Sequence, residues 1–411
     1  MESFLQNLKK YRHRISLLEP NTKNEILHQM ANALKKNSKK IIEENRKDII
    51  EAKKNNLSSA LLDRLFLDEN RINDMANAID EIANLREPVG RVLDGWVVPS
   101  GLRIEKVSIP IGVVSIIYES RPNVTSDTAA LCFKSGNICV LKGGKEASNS
   151  NLIIAKVLQE ILEENSLPKE IISLIPDNSR EGVNKLIKMD KYIDLVIPRG
   201  GEGLIKFISQ NATVPVIKHD KGLCHTFIDK DANIEDALNI AINAKCQRTG
   251  VCNAMETLLV HEDIAPKILQ RLKELYDKHG TELRGCKNTI DMIDVKLATE
   301  EDFQTEYLDN ILSIKIVKNV DEAIEHINNY SSGHSESIIT ENYTTGEYFL
   351  AGVDSACVYI NASTRFTDGA EFGFGAEVGI STNKLHSRGP MGINDLTTYK
   401  FKIYGKGHAR A

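Results

Sequence analysis

The segment "AKCQRTGVCNAMETLLV", residues 244–260, sets two thiols, Cys246 and Cys252, around an arginine and a glycine. Such a pair can pack, can form half of a metal or disulfide site, or can hold one reactive thiolate. The spacing is not C-x-x-C, and no His or Cys pair stands nearby at ligand spacing, which argues against a metal. As a nucleophile Cys252 is the better placed of the two. It follows Gly250-Val251, which allows close approach, and Lys245 and Arg248 are expected to favour its thiolate. Cys246 falls at a helix end, where packing is expected. On the residues alone, catalysis and packing remain level for Cys252.

Other short stretches carry chemistry with equally bland alternatives. In "YESRPNVTSD" (118–127), Pro122 stiffens a turn and presents Asn123, whose amide can serve an oxyanion or simply make its own turn. "VLKGGKEASNSN" (140–151) and "VIPRGGEGLI" (196–205) put glycines where a strand hands over to a helix. Free amides there suit a phosphate, although a tight turn uses glycine in the same way. Neither is a G-x-G-x-x-G fingerprint, but two such turns on successive units fit a nucleotide crossing the strand ends. "PVIKHDKGLCHTFID" (215–229) adds His219, His225 and Cys224, a conceivable Cys–His pair or a structural cluster.

The elements that must position these residues change character along the chain. The first ninety residues read as helices. Thr22-x-x-Glu25 looks like a capping box ahead of Ile26, Met30, Ala33 and Leu34, and Asp68 precedes Ile72, Met75, Ile79 and Ile82 on one helical face. From residue 97, "GLRIEKVSI" alternates like a half-exposed strand and "GVVSII" (112–117) reads as a buried one. "NICVL" (137–141) and "IDLVI" (193–197) each precede a helix, predicting βα units and a mostly parallel sheet. "ETLLVH", "LSIKIV", "ESIIT" and "ACVYIN" continue the pattern into a second α/β unit. "TTYKFKIYGKG" alternates with no helix after it, as an edge or inter-subunit strand would.

The chain has 411 residues, enough for two or three domains, with 41% apolar and 27% charged residues. A net charge of −5 gives no footprint for nucleic acid. The N-terminal segment lacks the apolar core of a secretory signal, and "IPIGVVSIIY" is about half the length of a membrane span. The seven scattered cysteines then read as reduced thiols in a cytoplasmic protein.

Taken together, "PIGVVSIIYESRPNVTSD", "LKGGKEA", "PVIKHDKGLCH", "QRTGVCNAMETLLVH", "VYINASTRFTDGAEFGFGAEVGIST" and "LHSRGPMGINDLTTYK" resemble the aldehyde dehydrogenase superfamily, and within it the branch that reduces an acyl phosphate. The resemblance implies an α/β fold with a Rossmann-type cofactor domain (1–228, with about 100–120 in a small β oligomerisation flap) and an α/β catalytic domain (229–362). The chain would then return to the cofactor domain (363–392) and end in an oligomerisation tail (393–411). It implies Cys252 as nucleophile and Asn123 as oxyanion amide. It implies a cofactor held by Lys142, Gly143, Gly144 and Lys145 at the adenosine ribose, by Arg199, Gly200 and Gly201 at the pyrophosphate, and by Glu306 at the nicotinamide ribose. Lys145 stands where NAD-preferring relatives often carry Glu, which favours NADP(H) through its 2′-phosphate. The motif around Glu306 departs from the superfamily's usual Phe-Gly-Pro.

His219 stands where hydrolytic relatives carry the glutamate that activates water. Loss of that glutamate fits reduction with phosphate, not water, as the other partner, and the resemblance implies L-glutamyl 5-phosphate as substrate and L-glutamate 5-semialdehyde as product, the second step from glutamate to proline. Arg121, His225, Arg248 and Arg365 are candidates for the substrate's phosphate or carboxylate. No resident metal is expected. A homo-oligomer and a transient contact with glutamate 5-kinase are the expected partners. A coenzyme A-dependent reductase, a hydrolytic dehydrogenase and a non-catalytic relative are the competing readings.

Overall fold

In the first ninety residues, apolar side chains at helical spacing close a core between two long helices. A computed structural model describes residues 1–218 and 221–410, residue 60 by its backbone alone. Helices Pro20–Lys36 and Glu69–Asn84 bury Ile26, Met30 and Leu34 in one and Ile72, Met75, Ile79 and Ile82 in the other. Asp68 caps the second helix, its carboxylate accepting the Arg71 N–H at 2.8 Å. The first begins earlier than the capping box predicts. Pro20 takes its first turn, because a ring-locked φ is already helical, and Thr22 lies inside the helix.

The chain divides into two units, the first comprising residues 1–218, 373–379 and 391–411. It holds strands β1 (Val92–Val97), β2 (Arg103–Pro110), β3 (Val113–Tyr118), β4 (Ile138–Gly143), β5 (Ile172–Leu174) and β6 (Leu195–Arg199). The last four form a parallel sheet in the order β5-β4-β3-β6. Every residue of β3 and β4 is buried, as a strand covered on both faces requires. β1, β2 and the C-terminal strand Thr397–Tyr404 form a separate antiparallel sheet with β2 in the middle. The alternation in "TTYKFKIYGKG" thus becomes an edge strand, paired from Thr397 to Tyr404 with β2.

The second unit takes residues 219–372 and 380–390. Its strands are β7 (Cys224–Ile228), β8 (Met255–His261), β9 (Glu282–Gly285), β10 (Lys296–Leu297), β11 (Ile311–Val317), β12 (Ser335–Ile339) and β13 (Cys357–Ile360). All pair in parallel, in the order β10-β9-β11-β8-β7-β12-β13. The first boundary therefore differs from the expected 228. β7 hydrogen-bonds β8 and β12, which carries residues 224–228 into the second unit. The return also starts at 373 and not 363, because Asn253 binds the carbonyls of Arg365 and Thr367 within the second unit. Arg388 pairs with Asp354 and keeps 380–390 there too. Among the described residues, no helix is long and apolar enough to cross a membrane.

Candidate active site

In the first unit, register sets three loops level. Tyr118 at the end of β3 lies opposite Gly143 of β4 and Arg199 of β6. The loops after these strands, carrying Glu119–Asn123, Gly144–Lys145 and Gly200–Gly201, therefore share one carboxyl edge. The strand order reverses between β3 and β6, and such a switch point opens a crevice at the carboxyl ends.

Lys142 is almost fully buried within β4, and among the described residues its ammonium has no hydrogen bond or ion pair. Burial holds it below the ordinary lysine range, against the pull of Asp177 and Glu146. A buried cation without a polar partner fits a ligand hydroxyl. Lys145, by contrast, is exposed. The turn before helix Glu202–Asn211 is not bare: Glu119 Oε2 accepts the Gly201 N–H at 2.8 Å. A Cβ on Gly200 would meet the Glu119 carboxyl carbon at 2.9 Å, so glycine there makes room for this side chain. Glu146 folds back in the same way, accepting the Ser120 N–H at 2.6 Å and its hydroxyl at 2.9 Å. Each amide-rich turn predicted for phosphate thus carries or adjoins a carboxylate of the chain itself.

Pro122 occupies the first turn of helix Pro122–Lys134, with the half-buried Arg121 as its N-cap. Asn123 is exposed on that turn, and its Nδ2 donates to Asp127 Oδ2 at 3.0 Å.

In the second unit, Cys252 lies in the loop joining helix Ile234–Cys246 to β8, at the amino edge of the parallel sheet. Asn233 caps that helix through the Glu235 and Asp236 amides. The backbone around Cys252 is held from several sides. Its carbonyl accepts the Cys224 thiol at 3.2 Å, and the Asn253 carbonyl accepts the Thr364 hydroxyl at 2.8 Å. The Asn253 side chain donates to the Thr367 carbonyl at 2.9 Å and accepts the Arg365 guanidinium, whose Nε reaches Gln247 Oε1 at 2.8 Å. Cys252 itself is half-buried.

Burial, with the nearby Arg248 cation, pulls Arg365 below the ordinary arginine value, and a Cys252 thiolate acts the other way. The Arg365 bond to Asn253 sets this guanidinium beside the thiol loop. Lys245 does not play the part expected of it. It is fully buried, with its Nζ 2.6 Å from Glu256 Oε2. Burial pushes Glu256 up to about 7 despite that partner. Arg248 is exposed beside the loop. Cys246 contacts the Thr281 hydroxyl at 3.5 Å, and burial raises its thiol.

His225 departs from its expected substrate role. It is fully buried in β7, with Nδ1 3.0 Å from Glu336 and its ring edge-on to His326. Every residue of β7 is buried, so both faces of this strand are covered. Glu306 Oε1 accepts the Gly222 N–H at 2.8 Å, which ties the carboxylate expected at the ribose to the segment behind Cys252. His219 lies outside the described residues.

Sequence reasoning passed over Glu119, Asp127, Gly222 and Glu256.

The sequence model of the aldehyde dehydrogenase family matches residues 2–285 and 294–401. The chain is 66% identical over 411 residues to a gamma-glutamyl phosphate reductase from a Nitratiruptor species, covering 100% of both chains. It is 67% identical over 410 residues to one of Sulfurimonas denitrificans, again covering 100% of both. The crystal structure of gamma-glutamyl phosphate reductase from Thermotoga maritima superposes with a TM-score of 0.98 at 48% identity, covering 100% of this chain and 99% of that one. An acetylating aldehyde dehydrogenase from Geobacillus thermoglucosidasius, at 18% identity and a TM-score of 0.70, shares the fold. With the family's pattern spanning nearly every residue, and a thiol loop braced at the head of a parallel sheet, the chain belongs to the aldehyde dehydrogenase family.

Proposed function

We propose that the chain reduces L-glutamyl 5-phosphate to L-glutamate 5-semialdehyde with NADPH and releases phosphate, the second step of proline biosynthesis from glutamate. Full-length identity of 66% to a gamma-glutamyl phosphate reductase supports the reaction. The observation that carries the chemistry is the braced Cys252 loop with Arg365 beside it.

The Cys252 thiolate attacks the γ-carbonyl carbon. An S–C bond forms, the C–O bond to phosphate breaks, and a thioester results. The Asn123 amide and the Cys252 backbone N–H stabilise the oxyanion, each worth roughly 3 kcal/mol of barrier. A bound nicotinamide cofactor would supply the hydride to the thioester carbon, and breaking the C–S bond then frees the aldehyde and returns the Cys252 thiolate. Lys142 is the residue best fitted to the cofactor's ribose hydroxyls, since its buried ammonium has no partner of its own. Gly143 and Gly144 follow it at the strand end, with the Asn151 and Glu146 side chains packed where a Cβ would stand. Lys145, exposed next in line, pairs the 2′-phosphate. Arg199, Gly200 and Gly201 border the pyrophosphate, and Glu306 takes the nicotinamide ribose. Arg121, Arg248 and Arg365 supply cations for the substrate's phosphate and α-carboxylate. His219 in place of a water-activating glutamate protects the thioester from hydrolysis.

The same reading places the enzyme in the cytoplasm, where thiols stay reduced, as a homo-oligomer. Trp96, Tyr399, Phe401 and Ile403 are exposed on the three-stranded sheet, whose C-terminal strand has one open edge. Because acyl phosphates are labile, a transient contact with glutamate 5-kinase completes the proposal, and a coupled assay without channelling would count against it.

The test is oxidation of the semialdehyde in the reverse direction. It should require phosphate and prefer NADP to NAD. Cys252→Ala should abolish it, while Cys246→Ala should retain most of it. A dead Cys246 variant, or activity without phosphate, would overturn the reading. His219→Glu should raise acid formation.

A further inference from the structure

Asn123 presents an ambiguity that its proposed role cannot tolerate. An asparagine amide is nearly symmetric in shape, and a half-turn about χ2 exchanges its N–H donors for a carbonyl acceptor. An oxyanion needs the donors. Asn123 is exposed, so packing does not choose between the two orientations.

We propose that Asp127 is the positioning residue for Asn123: its carboxylate accepts one Nδ2 N–H and thereby presents the second to the developing oxyanion. The inference rests on the oxyanion role of Asn123 given above. Residues 123 and 127 lie one turn apart on helix Pro122–Lys134, so their side chains meet on one face. Asn123 Nδ2 donates to Asp127 Oδ2 at 3.0 Å. The other oxygen, Oδ1, lies 3.1 Å from the Ser126 hydroxyl, which is also 2.9 Å from the Asn123 carbonyl. Arg199, at the end of β6, faces the same carboxylate with its positive charge. Burial pushes Asp127 up to about 6, against the pull of Asn123, Ser126 and Arg199, which leaves it a carboxylate at neutral pH. A carboxylate only accepts hydrogen bonds. Turning the amide over would set two acceptors against each other, at the loss of a charge-assisted bond.

Without this acceptor, Asn123 is free to sample three χ1 wells and two amide orientations, of which one serves the oxyanion. Asp127→Ala should therefore lower kcat by up to about sixfold, with the rate of Cys252 alkylation unchanged. Asp127→Asn keeps a polar contact that fixes χ1 but not the flip, and should lose only about twofold. In the Asn123→Ala background, where kcat should already be down about 100-fold, Asp127→Ala should cost nothing further, because its effect runs through the missing amide. Asp127→Ala at the wild-type rate, or an equal loss with and without Asn123, would overturn the positioning role. Asn123→Ala at the wild-type rate would overturn the oxyanion role itself, so the two failures are distinguishable.

Discussion

Gly222→Ala is the sharpest test of how the thiol loop is held. The Gly222 N–H is fixed on Glu306 Oε1 at 2.8 Å, and the Cys252 main chain fills the space where a side chain at 222 would begin. A Cβ added at Gly222 would lie 2.5 Å from the Cys252 carbonyl carbon, and closer still to its Cα and carbonyl oxygen. Gly222 is not among the glycines with positive φ, so the backbone itself would accept alanine. The whole cost is the collision. Carbon atoms settle at about 3.5 Å or more, so one side must retreat by about 1 Å. The partner is main chain, not the flexible end of a side chain, and it is braced by the Cys224 thiol behind it and by Asn253 beyond.

A displacement of about 1 Å at a reacting centre costs about 100-fold in rate, equivalent to about 2.7 kcal/mol of barrier. Overpacking should remove about 1–3 kcal/mol of stability as well. The assay is the reverse oxidation with NADP and phosphate, alongside the rate of Cys252 alkylation and a urea melt. kcat/KM should fall about 100-fold in a protein that still folds. Gly203→Ala is the control, since a Cβ there meets nothing within 4 Å. A Gly222→Ala enzyme within threefold of wild type would show that Cys252 is not fixed by this contact.

Three further outcomes follow from other contacts. Lys245→Met strands a buried Glu256 and should cost about 3–5 kcal/mol in a urea melt, with Glu256→Gln in the same chain recovering much of it; equal stability of the single variant would refute the buried pair. Glu119→Gln removes the carboxylate that covers the Gly201 N–H and should lower KM for NADPH severalfold, whereas a raised KM would make Glu119 a ligand and not a competitor. Burial, chiefly, with His225 and Lys315 nearby, holds His326 down to about 2. The unfolded chain therefore takes up a proton below about pH 6.5 that the folded chain refuses. Stability that is complete above that pH falls as pH falls, by about 2 kcal/mol at pH 5. His326→Phe should lose less stability between pH 7.5 and 5, and an unchanged loss would exclude His326 as the source.

Periodicity made most elements legible. The 3-4-3 spacing after Asp68 became helix Glu69–Asn84 with Asp68 as its cap, and "GVVSII" became the fully buried β3. Short-range rules failed where a stiffer local preference overrode them. Pro20 started its helix ahead of the Thr22 box, and the pairing of β7 with β8 and β12 moved a domain boundary by ten residues. Register between strands is a long-range fact, and only it could show that the loops after β3, β4 and β6 end level.

The electrostatics of the thiol were the least legible part, for a reason the Lys245–Arg365 exchange makes plain. Lys245 is seven residues from Cys252, so proximity in sequence recommended it as the supporting cation. Lys245 lies within the last turn of its helix and turns inward to meet Glu256 on β8, while Cys252 lies in the loop between the two elements. Arg365 is more than a hundred residues away, yet two backbone carbonyls of its own segment receive the Asn253 side chain, which brings its guanidinium to the loop. The same exchange recurs at the glycine-rich turn before helix Glu202–Asn211, where Glu119 from a neighbouring strand end covers the amide that sequence reserved for phosphate. In a parallel sheet, groups distant in sequence meet at strand ends. Arg365 therefore reaches the thiol loop from a distant segment, while Lys245, seven residues from Cys252, is paired with Glu256.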